Sequence, residues 1–413
     1  MATNEAKRRD VERIALAYSG GLDTSIIIPW LKERYPGVEV VAVCADVGQS
    51  DDLSRLEERA AASGAAKLIL RDVRREFVEE YLFPMLRAGA VYEGKYLLGT
   101  SAARPLQAKV QVEAARSEGA DAVSHGCTGK GNDQVRFELA YRALAPDLQI
   151  IAPWRLWDIR SREDAIEYAE SRGIDLAGIS RVNIYSRDDN VWHLSHEGGD
   201  LEDAGRRPQE TLFQRSVSPA EAPDREQEVT VEFERGIPVA VDGVRHGPVE
   251  LVLRLNELGA ANGIGRADIV ETRVVGMKSR GVYETPGGTI LYAALRELEM
   301  LTLEADALRS KQQLAMTYAD AVYGGHWFST LRESLDAFMQ RVCARVTGAV
   351  TVSLYKGGIT VAGRRSPYSL YDEGLASFSA GSYDHQDASG FIQLYGLSTR
   401  TAAMVDGGTD GDG

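Results

Sequence analysis

The sequence predicts an α/β protein: a doubly wound parallel sheet first, a second α+β domain after it, and a C-terminal arm. Three observations carry that prediction. Short apolar runs of strand length alternate with helical patterns up to Gly173, which implies right-handed βαβ crossovers and a sheet covered on both faces. Beyond about Ile174 the rhythm gives way to a polar stretch interrupted by Pro208, Pro219 and Pro223, and hairpin signals follow. The 413 residues, 44% apolar and 26% charged, have the composition of a soluble globular protein and the length for two domains. The boundaries read as 1–175, 176–363 and 364–413, the last ending in a GGTDGDG tail expected to be disordered.

Residues 14–18 are the first strand; Ser19, Gly20 and Gly21 break it, and Asp23, Thr24 and Ser25 lead into a helical pattern through Leu31. Residues 38–45, VEVVAVCA, form a near-continuous apolar strand with Asp46 to Gln49 at its carboxyl end, where ligands of open α/β sheets lie. Ser54-Arg55-Leu56-Glu57 reads as a capping box for a helix stopping near Gly64. Residues 67–70 are a third strand and 77–86 are helical. A helix begins at about Ala102 to Pro105, buries Leu106, Val110 and Ala114, and ends at Gly119. Residues 122–124 and 150–152 are the fourth and fifth strands, and a helix over 164–172 closes at Gly173.

In the second domain residues 183–228 read as irregular. Residues 229–233 and 238–241 are strands with Asp242-Gly243 as a hairpin turn, 251–258 is a helix, and another strand lies within 268–288. Two long helices follow, at about 289–309 and 328–346, the second capped by Gly348. Residues 350–361 form a hairpin around Lys356-Gly357-Gly358.

Composition narrows the function. No run is long and apolar enough to span a membrane, and the N-terminus MATNEAKRRDVER lacks the apolar centre of a signal peptide. Cys44, Cys127 and Cys343 are few and odd in number, so neither a disulfide framework nor a cysteine zinc site is implied, and a cytoplasmic protein is expected. The net charge of −14 argues against a broad nucleic-acid surface. Small anions are different, because a few cations in a cleft outweigh a negative exterior.

Two turns concentrate the chemistry. In RIALAYSGGLDTSIIIPWL, residues 13–31, a strand runs through glycines into a helix start. Such a turn lets backbone N–H groups meet an oxyanion at the positive end of the helix dipole. An ordinary capped turn needs fewer hydroxyls than Ser19, Thr24 and Ser25 supply, and Asp23 is placed to face a metal, so phosphate is favoured. The second turn, within HGCTGKGNDQVR at 125–136, follows a strand placed beside the first, so both open on one sheet edge. Gly126, Gly129 and Gly131 permit close approach, while Thr128, Asn132, Asp133 and Arg136 supply donors and acceptors. Capping of the next helix by Asn132 or Asp133 accounts for one of these groups, not for all of them. Neither turn is a Walker A loop: GCTGK has too short a glycine spacing, and Gly131 stands where Ser or Thr belongs.

SGG-x-D-[ST]-S resembles the PP-loop of the N-type ATP pyrophosphatases, which cleave ATP between the α- and β-phosphates. With HGCTGKGNDQVRFE, YEGKYLLGTS, APWR, HLSHEGG and VGMKSRGVYETPGGT added, the chain resembles the argininosuccinate synthase family over nearly its whole length. That resemblance implies an adenine nucleotide α-hydrolase-like sheet, a synthetase domain over 176–363 and an oligomerisation arm. It implies ligation of citrulline and aspartate with ATP and Mg²⁺ through citrullyl-AMP, giving argininosuccinate, AMP and pyrophosphate in arginine biosynthesis.

By the same resemblance ATP meets Ala17, Tyr18, Ser19, Gly20, Gly21, Leu22, Asp23, Thr24 and Ser25, with Ala45 near the adenosine and Gly126 beside the nucleotide. Thr128, Asn132 and Asp133 match the positions that hold aspartate. Tyr96, Ser101, Asn132, Arg136, Ser186, Ser195, Glu271 and Tyr283 match those that hold citrulline. The catalytic candidates are Asp133, which holds or deprotonates the attacking amine, Arg136, whose planar fork suits a carboxylate, and Asp23. Glu271 suits the citrulline ammonium; on residue type alone, Tyr96 and Tyr283 read as core aromatics. A homotetramer with no nucleic-acid or membrane partner is implied as well.

His193 and His196 lack the companion residues of a metal motif and are expected to be a satisfied or surface pair. Cys127 reads as a small filler residue. The rival enzyme class is another AMP-forming PP-loop enzyme, such as a tRNA thiolase or an amidotransferase synthetase. The acidic balance, the missing cysteine pairs and the lack of a glutaminase-type segment count against it. The rival of a different kind is a nucleotide-binding regulatory module that never turns ATP over.

Overall fold

A computed structural model describes residues 11–50, 53–159, 162–174, 185–377 and 384–409. β1 (Arg13–Ala17), β2 (Glu39–Asp46), β3 (Lys67–Asp72), β4 (Ala122–Ser124) and β5 (Gln149–Ile151) form one sheet in the order β3-β2-β1-β4-β5. Every pairing in it is parallel. Alternate residues serve opposite faces. Ile14, Leu16, Val40, Ala42 and Cys44 join Ile27, Ile28 and Leu31 in one apolar cluster, whereas Ala15, Val41 and Val43 join Phe77, Leu106 and Val110 in another. A strand buried on both sides reads as a continuous apolar run, which is why β2 stood out. The order reverses between β1 and β4, and their carboxyl ends flank the crevice where doubly wound sheets bind ligands.

The elements of this half depart from expectation at three points. The helix Gly99–Glu118 starts ahead of Pro105 and carries it inside. Gly99 to Ala103 are all buried, so packing extends the helix through a residue that costs it one backbone bond. The helix Leu56–Ala62 is entered through a 3-10 turn, Leu53–Arg55, with Arg55 at the N-cap and no side-chain cap, so the expected capping box is not formed. Residues 74–88 are helical throughout, with a π-helical segment Phe77–Leu82 in the middle.

Downstream come β6 (Ser186–Asp189), β7 (Leu194–Glu197), β8 (Gln227–Glu234), β9 (Ile237–Val241), β10 (Val244–Arg245), β11 (Arg266–Thr272), β12 (Lys278–Glu284), β13 (Gly348–Tyr355) and β14 (Gly358–Arg365). They make two antiparallel sheets, β11-β12-β7-β6 and β10-β9-β8-β13-β14. The hairpin between β9 and β10 has Asp242 at φ +52° and Gly243 at +79°, as a tight two-residue turn requires. The stretch expected to be irregular therefore holds β6 and β7. The two strands, SRDD and LSHE, carry polar residues on both faces, which removed the periodic signal.

Three helices, not two, follow β12: Pro286–Thr302, Ala305–Tyr323 and Thr330–Val342. The first break falls at Leu303 and Glu304, both extended, with neither glycine nor proline to mark it. Gly348 is the first residue of β13 and not a helix cap. One apolar cluster runs from Ala15 through Leu354, so the parallel sheet and the downstream sheets share a core. The chain divides into compact units between Tyr368 and Ser369. The second unit holds the helices Glu373–Ala376, Asp387–Tyr395 and Leu397–Thr409. The expected disordered tail is helical through Thr409, and residues 410–413 lie outside the described residues. Among the described residues no helix is long and apolar enough to cross a membrane.

Glu284 anchors the end of β12. Fully buried, it accepts hydrogen bonds from the N–H groups of Gln214 (2.8 Å), Arg215 (3.0 Å) and Ser216 (2.8 Å) and from the Ser216 hydroxyl (2.7 Å). His196 Nε2 lies 2.9 Å from it. Burial alone raises a carboxyl, but these donors outweigh it and push Glu284 from its ordinary 4.5 down to about 2. A depressed value contributes stability that is complete above the unfolded value and is lost as pH falls towards 2. Glu284→Gln is therefore expected to cost roughly 3 kcal/mol near neutral pH, with the gap between the two proteins closing below about pH 4. Thermal melts across that range check it.

Candidate active site

The glycine turns end adjacent strands. Leu16 of β1 lies opposite Ser124 of β4, so the chain leaves both strands on the same side of the switch point. A Cβ built on Gly126 would stand 3.1 Å from Thr24 Cγ2 and 3.4 Å from Ile27 Cδ1, so the second turn rests on the first helix. Gly20 adopts φ +76°, and a Cβ there would stand 2.4 Å from Leu56 Cδ1.

Gly21 is the N-cap of Leu22–Arg34 with no side-chain cap, which leaves the first N–H groups of that helix available to an anion. Ser19 Oγ lies 3.2 Å from Thr24 Oγ1 and 3.4 Å from the Gly21 nitrogen. Ser19 and Asp23 are exposed at the turn, and Ala17 is half-buried. Tyr18 and Leu22 are buried: the Tyr18 hydroxyl is 3.3 Å from Ser25 Oγ, and Leu22 packs with Ile26 and Ala165. Ala45 is nearly buried at the end of β2, its carbonyl accepting from Gln49 Nε2 at 3.3 Å.

The second turn is tied to the downstream sheets. Asn132 occupies the N-cap of Asp133–Leu144, yet its side chain caps nothing. Its Nδ2 donates to the Tyr323 hydroxyl at 2.9 Å and its Oδ1 accepts from the Val274 N–H at 2.8 Å. Each oxygen of Asp133 takes one guanidinium, Oδ1 from Arg136 at 2.7 Å and Oδ2 from Arg104 at 2.8 Å. Arg104 reaches on to Asp188 Oδ1 at 2.6 Å, and Thr100 donates to Asp188 Oδ2 at 2.7 Å. Burial would raise the Asp133 carboxyl, but the two arginines outweigh it and hold it below its ordinary value. A carboxylate so held stays ionised and is a weak base. Arg136 is 3% exposed; its Nε donates to the Tyr323 carbonyl at 3.0 Å, and its guanidinium sits 4.9 Å from the Tyr323 ring centre.

Glu271 of β11 is buried and accepts from Tyr323 at 2.7 Å and Tyr283 at 3.0 Å. Burial raises its carboxyl above the ordinary value despite both phenols. Tyr96 packs against Tyr283 with ring centres 4.6 Å apart, and Ser195 of β7 lies opposite Tyr283 of β12. Ser101 is fully buried in the first turn of Gly99–Glu118. Ser186 of β6 is exposed opposite Glu197 of β7, and Thr128 is exposed in the second turn. The expected residues Asn132, Asp133, Arg136, Glu271, Tyr283 and Tyr96 thus form one connected set.

Arg104, Asp188, Glu197, Arg273 and Tyr323 belong to this set or border it and were missed. Arg104 was hidden by Pro105, which reads as a helix start. Tyr323 had a usable signal in the glycine pair after it: Gly325 adopts φ +82°, and a Cβ there would come within 2.9 Å of Arg136 Cα. His193 and His196 are not on a helix; His193 Nε2 lies 2.9 Å from Thr100 Oγ1, and His196 faces Glu284. Burial pushes the Cys127 thiol up, against any nucleophilic role. Among the described residues no cluster of three or more His, Cys, Asp or Glu could hold a metal. Cavities of about 340 and 540 Å³ lie elsewhere and contain none of these side chains.

An uncapped helix start lined with hydroxyls at the switch point of a doubly wound sheet, beside a connected set of carboxylates, arginines and phenols, fits a nucleotide-dependent α/β enzyme. Comparison with known proteins narrows the class. Residues 13–175 match the arginosuccinate synthase N-terminal HUP domain and residues 185–402 the arginosuccinate synthase C-terminal domain. An argininosuccinate synthase of Moorella thermoacetica is 59% identical over 396 residues, covering 96% of this chain and 97% of that one. One from Pelotomaculum thermopropionicum is 59% identical over 95% of this chain and 98% of its own, and one from Roseiflexus is 55% identical over 97% and 99%. The chain belongs to the argininosuccinate synthase family.

Proposed function

We propose that this enzyme ligates citrulline and aspartate using ATP, through citrullyl-AMP, and releases argininosuccinate, AMP and pyrophosphate. The observation that carries the reading at the level of residues is the seating of Gly126 against Thr24, which sets the amino-acid turn on the phosphate turn. A ureido carbon is a poor electrophile because its nitrogens feed electron density into the carbonyl. Adenylation of the ureido oxygen makes that oxygen a leaving group, and the aspartate amine displaces it.

The first step expels pyrophosphate, so negative charge grows on the β-phosphate. The backbone N–H groups of Gly20 and Gly21 and the hydroxyls of Ser19, Thr24 and Ser25 are the groups we assign to stabilise it. Ala17 to Ser25, Ala45 and Gly126 hold the nucleotide in this reading. Asp23 and the hydroxyls are hard oxygen donors suited to Mg²⁺, and the lack of a carboxylate cluster among the described residues fits an ion carried mainly by phosphate oxygens. When bound, Mg²⁺ neutralises phosphate charge. Arg136 receives the citrulline carboxylate and Glu271 its ammonium, with Tyr96, Ser101, Ser186, Ser195 and Tyr283 around them. Thr128, Asn132 and Asp133 hold aspartate, and Asp133 positions the amine as an acceptor and does not deprotonate it.

The few cysteines and the family resemblance support a cytoplasmic homotetramer. The exposed Phe391, Ile392, Leu394 and Tyr395 of the arm support its packing against another subunit. A substrate panel with phosphate-product identification tests the reaction. Pyrophosphate release should require citrulline, and argininosuccinate should appear only once aspartate is added; ADP as product would sink the reading.

A further inference from the structure

We infer that Glu197 is a further catalytic residue, the group that takes a proton from the aspartate ammonium before the amine attacks. The inference rests on the reading above and deepens it at the second step.

The ligation needs an uncharged amine, and Asp133 is poorly suited to produce one with both oxygens held by arginines. Glu197 is placed differently. Side chains alternate along β7, so Glu197 shares a face with Ser195 while His196 turns away to buried Glu284. Ser195 lies opposite Tyr283, and Ser186 opposite Glu197, so this face is the wall of the amino-acid pocket. Arg273 fixes the carboxylate against the second turn: its Nη2 donates to Glu197 Oε2 at 2.9 Å and its Nη1 to the Lys130 carbonyl at 3.2 Å. Lys130 is two residues before Asn132, in the turn assigned to aspartate. Glu197 Oε1 has no partner among the described residues, and the side chain is 40% exposed, open to a ligand.

The charged groups around it are Arg273, Glu271, Asp133 and Arg136. Burial, then the negative neighbours Glu271 and Asp133, raise its carboxyl against the lowering by Arg273 and Arg136. Asp133 has a guanidinium on each oxygen and Glu271 a phenol on each, so Glu197, with Oε1 unpartnered among the described residues, is the better base.

The step balances. The ammonium gives one proton to Glu197 Oε1 and keeps its lone pair. That pair forms the C–N bond to the ureido carbon as the C–O bond to phosphate breaks, its electrons leaving with AMP. A second proton moves from the attacking nitrogen to the ureido nitrogen, which gave up its own proton to the departing pyrophosphate during adenylation. Glu197 returns its proton to water after product leaves.

Two assays separate the steps: citrulline-dependent exchange of pyrophosphate into ATP without aspartate, and overall AMP formation with it. Glu197→Gln should keep exchange within about threefold of wild type while turnover falls about 100-fold or more. The deficit should shrink by about tenfold per pH unit as pH rises towards the amine's own value, since solvent then supplies the free amine. Glu197→Asp, which keeps a carboxylate, should recover most of the rate. The inference is overturned by near-normal turnover of Glu197→Gln, by exchange falling in step with turnover, or by a deficit unchanged with pH. Absence of exchange in the wild-type enzyme would instead defeat the functional reading, and this proposal with it.

Discussion

Arg136→Met should lower kcat/KM for citrulline by about 10³-fold, equivalent to roughly 4 kcal/mol of lost transition-state stabilisation. Arg136 is 3% exposed; its Nη1 donates to Asp133 Oδ1 and its Nε to the Tyr323 carbonyl, with the Tyr323 ring beneath it. Its Nη2, without a partner among the described residues, is left for the substrate carboxylate. Methionine fills similar volume without the charge, so Asp133 keeps one arginine instead of two and the substrate carboxylate finds no partner. Arg136→Lys keeps the charge but cannot reach both neighbours in one plane, and we expect it to lose about 10²-fold. Steady-state kinetics with each substrate varied in turn check this. The KM for citrulline should rise far more than the KM for ATP, and an equal effect on both would contradict the assigned role.

Gly20→Val should abolish the first half-reaction, with citrulline-dependent pyrophosphate exchange falling by at least about 10²-fold. A β-branched residue resists φ +76°, and its Cβ would press on Leu56 Cδ1 at 2.4 Å. Leu56 Cδ1 is the end of a side chain and can shift aside, but the positive φ stays strained, and relieving it moves the turn together with the N–H groups we assign to phosphate. Unlike Glu197→Gln, this variant should lose exchange and overall turnover together. Retained exchange with unchanged KM for ATP would show that the turn does not hold the triphosphate.

What could be read from the chain depended on what each residue packs against. The residues of β2 declared a buried parallel strand because apolar neighbours cover both faces. The glycine turns pointed to an anion site because hydroxyls and glycines gather at a strand–helix junction. β6 and β7 were silent, since their sequences SRDD and LSHE carry polar residues on both faces and lack the apolar alternation that marks a strand. Asn132 was ambiguous for a local reason: Asn-Asp ahead of a helix looks the same whether the amide caps it or, as here, bonds Tyr323 at 2.9 Å. Tyr323 itself lies 191 positions away, and local periodicity carries no information about such a partner. Arg104 could be placed only once Asp133 and Asp188 were seen on either side of it.

The central claim is that a nucleotide on the Gly20 turn has its α-phosphorus beside the ureido oxygen of citrulline in the Asn132–Glu271 pocket. Citrulline labelled with oxygen-18 in the ureido group tests it most directly. After turnover with ATP and aspartate, mass spectrometry should find the label in the phosphate of AMP and none in pyrophosphate. Label released to water, or recovered in pyrophosphate, would mean that the ureido oxygen never attacked the α-phosphorus and that the two turns do not serve one reaction.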